Sequence, residues 1–78
     1  MENNLTFDID RINHFIPKEY NDVKKMTDTL VKFKSISINF SDLSPKDKVR
    51  VLDFMLGAMY VLKGTYNKIS KNIYIIEI

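Results

Sequence analysis

At 78 residues, 45% hydrophobic and 28% charged, the chain has room for one domain of ordinary globular composition, with a core small enough that association would add to it. A net charge of +2 is too small to argue for nucleic acid, and with no cysteine there is neither disulfide nor thiolate chemistry, which suits a reducing cytosol. No run of about 18 apolar residues exists, and the start MENNLTFDID is neither a signal peptide nor a basic amphipathic anchor, so the chain is expected to carry no membrane anchor.

In chain order, residues 1–10 are polar and are expected to fray, leaving residues 11–78 as a single domain. Ile12, Phe15 and Ile16 form a short apolar run ended by Pro17, which predicts a first strand leading into a turn. From Glu19 to Lys32, Tyr20, Val23, Met26 and Leu30 recur at three- and four-residue spacing, the pattern of a helix with one apolar face. Ser35 to Phe40 alternates, with Ile36, Ile38 and Phe40 on one side and Ser35, Ser37 and Asn39 on the other, as in a strand buried on one face.

The stretch DLSPKDKVRVLDFMLGAMYVLKGT, residues 42–65, predicts the second helix. Ser44 is placed to cap, Pro45 to occupy the first helical position, Asp47 to meet the positive helix end, and Gly64 to stop it. At about 100° per residue its apolar side chains sweep roughly 260° of the circumference, far more than a surface helix needs. A second protein surface, most simply another copy of the chain, is therefore expected on this helix. Thr65 to Ile69 and Ile73 to Ile78 then flank Ser70-Lys71-Asn72 as a hairpin, whose last strand is apolar on both faces.

The order βαβαββ predicts an α/β, or α+β, sandwich: a small mixed sheet with two helices on one face. The opposite face of the last strand then lacks a cover of its own.

Candidate chemistry is sparse. His14 is the single histidine and has no cysteine or second histidine with which to bind a metal, so a surface or strand-edge place is expected for it. Gly57 and Gly64, the only glycines, lie in or just after a helix and make no phosphate loop, and no nucleophile elbow is present. No enzymatic activity, metal or cofactor is expected. Lysines are numerous, but Glu19, Asp22 and Asp28 interleave with those of the first helix, as on a solvated face. An RNA-binding βαβαββ module would need Tyr66 and Tyr74 as stacking platforms; it stands as the main alternative, with a purely structural oligomerisation domain behind it.

The segment VRVLDFMLGAMYVLKGTYNKISKNIYII resembles the core of the SepF family of bacterial cell-division proteins. The shared skeleton is Val51, Asp53, Phe54, Gly57, Ala58, Tyr60, Leu62, Gly64, Lys68, Ile69, Ile73 and Tyr74. Upstream, Phe15 to Asp22 and Ser37 to Phe40 with Leu43 extend the likeness to about residues 12–76.

The resemblance implies a homodimeric scaffold, cytoplasmic and at the division site, that assembles further and binds the C-terminal tail of FtsZ, with no catalysis and no nucleic acid. It implies Lys68 and Tyr74 as tail-binding positions: the lysine to meet carboxylates, the aromatic to fill an apolar notch. Self-association is expected of Leu52, Met55, Leu56, Gly57, Met59, Lys63 and Gly64. Where the family has two glycines after this helix the chain has Lys63-Gly64, and where it has a small serine before Gly57 the chain has Leu56, which makes the helix more apolar. The family's usual amphipathic helix, linker and continuation past the last strand are not expected in this chain.

Overall fold

Asn13–Phe15 forms the short strand β1 in the computed structural model, which describes residues 13–78. The frayed start expected at residues 1–10, and Ile12 of the expected first strand, lie outside the described residues. Pro17, which has no N–H for a ladder, follows the strand. The Asp22 carboxylate then accepts the N–H groups of Lys18 (2.8 Å) and Glu19 (3.2 Å). These bonds tighten the first turn, so the helix expected from Glu19 opens as a 3-10 turn, Tyr20–Asp22, and becomes α-helical only as α1, Val23–Phe33.

Val23, Met26 and Leu30 are the buried stripe of α1. The helix ends on Lys34, whose φ of 73° is left-handed and whose N–H reaches the Leu30 carbonyl at 2.7 Å. Strand β2, Ser35–Asn39, buries Ile36 and Ile38 as the alternation predicts. Phe40 lies one residue beyond it, buried, with its N–H on the Asn72 carbonyl at 2.8 Å.

Helix α2, Pro45–Val61, begins as the sequence predicts, with Ser44 Oγ accepting the Asp47 N–H at 3.2 Å and Pro45 in the first position. Its end differs from expectation. Gly64 does not take a left-handed conformation; Lys63 does, at φ 60°. The Lys63 N–H bonds to the Tyr60 carbonyl and the Gly64 N–H to the Met59 carbonyl, the paired closure in which the left-handed residue is usually glycine. Gly64 serves another end: a Cβ there would stand 2.2 Å from the Glu77 carbonyl oxygen and 2.6 Å from Ile78 Cγ2. It is a glycine of close approach.

A left-handed non-glycine residue costs about 1–2 kcal/mol. Lys63→Gly is therefore expected to stabilise the protein by about 1 kcal/mol, a rise of roughly 4–8 °C in Tm for a domain of this size. A thermal melt that does not move, or falls, counts against this account of the helix end.

The hairpin strands are β3, Thr65–Lys68, and β4, Ile73–Glu77. The sheet order is β1-β2-β4-β3, with β1 parallel to β2 and the other pairs antiparallel. The last strand of the chain is thus a central one. Ile36 and Ile38 of β2 and Tyr74 and Ile76 of β4 point to one face, where α1 touches β2 and α2 touches β3. Those side chains and Val23, Met26, Leu30, Phe40, Leu43, Val51 and Met55 make the core. This is the α+β architecture that the element order predicts.

Two devices brace α2 at the edges of this core. Arg50 lies 4.1 Å over the Tyr20 ring, which meets Phe54 edge-on at 6.3 Å, joining α2 to the turn before α1. Lys48 Nζ donates to the Lys71 carbonyl and to Asn72 Oδ1, tying the start of α2 to the hairpin turn.

Candidate functional site

The register of the hairpin decides where the predicted site residues stand. Lys68 is directly opposite Tyr74, and Tyr66 directly opposite Ile76. Ile76 is fully buried beneath the helices, so Tyr66, Lys68 and Tyr74 all lie on the helix-side face. The Lys68 ammonium sits 6.0 Å from the Tyr74 ring centroid, and the Tyr66 ring lies 6.0 Å from that of Tyr74 with the planes 31° apart. Phe40 closes the far side of Tyr74, edge-on at 5.5 Å. The result is a stack whose base is Phe40, whose middle is Tyr74 at 8% exposure, and whose outer ring is Tyr66 at 47%.

This stack lies beside α2, on the flank away from α1. Phe54 and Val61 line the groove shared with α1. At about 100° per residue, Val49, Leu52 and Leu56 fall on the other side of the helix, toward β3. Leu52 is packed against the core and half-buried, Leu56 is half-buried, and Val49 is exposed. The strip of partly exposed side chains between that flank and the Tyr66–Lys68 rim of β3 is termed the trough. Lys68 supplies its charge, and among the described residues no carboxylate pairs with it.

Sequence reasoning missed Tyr66 as a member of this cluster, although it named the residue as a stacking platform. The signal was its place two residues before Lys68 on one strand, which puts both on one face. Tyr74 is too buried to stack on a base, and among the described residues the open sheet face carries no Phe, Tyr or Trp. Of the two platforms that the RNA-binding alternative needs, Tyr66 alone is open.

The residues expected to carry self-association are spread over three environments. Met55 is fully buried in the chain's own core, with its sulfur 3.6 Å from Thr27 Oγ1, so it faces no partner. A helix apolar almost all round leaves open which stripe turns inward; Val51 and Met55 are that stripe. Leu52, Leu56 and Met59 are half-buried at its margins. Gly57 is exposed, and a Cβ on it would meet nothing within 4 Å, so no contact within the chain requires a glycine there. Lys63 is exposed at the helix end, and Gly64 is held against β4.

Among the described residues two apolar surfaces have no cover, as the double-faced helix and last strand predict. One is an open groove of about 630 Å³ between α1 and α2, lined by Thr27, Val31, Asp53, Phe54, Gly57, Ala58, Val61 and Leu62. Val61 is 75% exposed. The other is the sheet face opposite the helices, where Ile73 and Ile75 stand beside Asn67, Ser37 and Asn39. His14 is exposed on that face, its Nδ1 2.9 Å from Ser37 Oγ, at the strand edge expected for it.

A family model described as cell division protein SepF matches residues 12–77, nearly all of the chain. The chain belongs to the SepF family. Among curated SepF proteins similar to it, that of Clostridium tetani is 42% identical over 61 residues, 78% of this chain and 40% of that protein. The SepF of Clostridium novyi is 37% identical over 61 residues, and that of Oenococcus oeni 32% over 62 residues, or 80% of this chain and 34% of the relative. The chain spans about a third to two fifths of the length of these relatives. All of them are named as cell-division proteins. Among the described residues no helix is long and apolar enough to cross a membrane, and no group of histidine, aspartate or glutamate could hold a metal ion.

Proposed function

We propose that this SepF-family chain is the core of a cell-division adaptor, acting in the cytoplasm at the division site, which pairs with a second copy of itself and takes the C-terminal tail of FtsZ into the trough beside β3. The observation that carries this reading is the direct opposition of Lys68 and Tyr74 on one face, with the ammonium over the ring and Tyr66 stacked outside it. A lysine rimming an apolar trough suits a peptide that carries both carboxylates and apolar side chains. Lys68 and Tyr66 make contact with the tail in this reading. Tyr74, nearly buried between Phe40 and Tyr66, positions them.

The surface for pairing is the groove between α1 and α2. Val31, Phe54, Val61 and Leu62 are exposed around it, and Gly57 leaves room at its floor for another chain to come close. Leu52, Leu56 and Met59 lie on the other flank of α2, toward β3, so they do not line this groove, and Lys63 and Gly64 follow the helix end beyond Leu62.

Titration of a labelled FtsZ tail peptide, with the protein's mass followed by sedimentation, tests both halves. Saturable binding to a dimer is expected, weakened at least tenfold by Lys68→Glu with the dimer intact. Binding that survives Lys68→Glu unchanged would remove the site from this trough. A monomer at all concentrations would remove the pairing.

A further inference from the structure

The ladder between β3 and β4 fixes which backbone groups of β3 are spoken for. Ile69 donates its N–H to the Ile73 carbonyl at 2.8 Å, and hydrogen-bonded pairs in an antiparallel ladder recur every second residue. Asn67 and Thr65 therefore exchange their bonds with Ile75 and Glu77, whereas Tyr66 and Lys68 turn their N–H and C=O groups away from β4. β3 is the last strand of the sheet, so among the described residues these four groups face no neighbouring strand. The two residues that offer their backbone to the edge are the same two whose side chains form the rim of the trough.

We infer that β3 receives its ligand as an added strand: an extended acidic peptide that bonds the backbone of Tyr66 and Lys68 and lays alternate side chains over Tyr66 and beside the Lys68 ammonium. This rests on the tail-binding reading above and specifies its geometry. A residue set opposite Tyr66 on an added strand has its side chain on the helix-side face, with Cβ atoms about 4.5–5.5 Å apart, and the next residue on that face is two positions along, opposite Lys68. The trough thus reads an apolar residue and an acidic one separated by a single residue. Charge complementarity selects the acid, since Lys68 is the charged group on that face of β3 and no described carboxylate neutralises it. Backbone bonds would supply affinity, and the alternate side chains specificity. A second copy's β3 is the competing occupant; in an antiparallel pair centred on Lys68 it would set Lys68 against Lys68, the arrangement by which edge lysines resist self-pairing.

Amide hydrogen exchange, read residue by residue on the intact protein with and without the FtsZ tail peptide, tests this, together with single N-methylation along the peptide. Exchange at Tyr66 and Lys68 is expected to slow at least tenfold with peptide, and N-methylation to weaken binding at least tenfold at every second peptide position and little between. Peptide that binds with the two amides unprotected, or without that alternation, overturns strand addition and leaves the tail-binding reading standing. No binding at all overturns both. Protection that grows with protein concentration in the absence of peptide assigns the edge to another copy of the chain and overturns the inference.

Discussion

Phe40→Ala is expected to lower the stability of the protein by about 3–5 kcal/mol, the usual cost of removing a buried phenylalanine and leaving the cavity. A domain of this length has roughly 4–12 kcal/mol in total, so Tm should fall by at least about 12 °C and a large unfolded fraction should be present near body temperature. Phe40 is 1% exposed, and its ring supports Tyr74 edge-on from the core side. The backbone bond from Phe40 to Asn72 survives the substitution, so the loss measures packing rather than the turn. The folded remainder should bind the tail peptide poorly, because Tyr74 loses the wall that holds it under Tyr66. A Tm within about 5 °C of the parent would mean that this stack does not anchor the hairpin.

Gly64→Ala is expected to cost about 2–3 kcal/mol, in the upper range for forcing an extra carbon into a packed place. The obstacle is the Glu77 carbonyl, part of the backbone of a central strand, and no change of rotamer relieves it. Either the last turn of α2 or the end of β4 must shift. The neighbouring substitution Lys63→Gly should move stability in the opposite direction, so the two residues give a paired test of a single joint. Denaturant midpoints separate them: a lower midpoint for Gly64→Ala at an unchanged slope is expected. Gly64→Ala as stable as the parent would show that the joint yields easily.

Much of the fold was legible because its signals are local. Ser44, Pro45 and Asp47 mark the start of α2 through bonds that span three residues, and the alternation from Ser35 to Asn39 sorts side chains to two faces without regard to anything distant. The sequence signal failed where the answer depends on a partner element. Gly64 reads as a helix stop because glycine usually is one; that Glu77 and Ile78 stand against it is invisible from the helix. Met55 reads as an outward apolar residue because α2 is apolar nearly all round, and only the sheet beneath selects its stripe. The shared face of Lys68 and Tyr74 hangs on the turn between them, whose closure from Ile69 to Ile73 sets the register. Tyr66 entered the candidate site by the same closure.

The sheet order has a consequence for how the domain folds. β4 comes after the other described strands in the sequence, yet it lies between β2 and β3 and carries Tyr74 and Ile76 into the core. Its end also meets the ends of both helices: Ile78 donates its N–H to the Lys34 carbonyl, and Gly64 packs against Glu77. Until that strand is in place, the β1-β2 pair and β3 share no sheet, and the two helix ends lack their contacts with it. Formation of the sheet is therefore gated by β4, whose partners in β2 are distant in sequence, the kind of pairing that folds slowly.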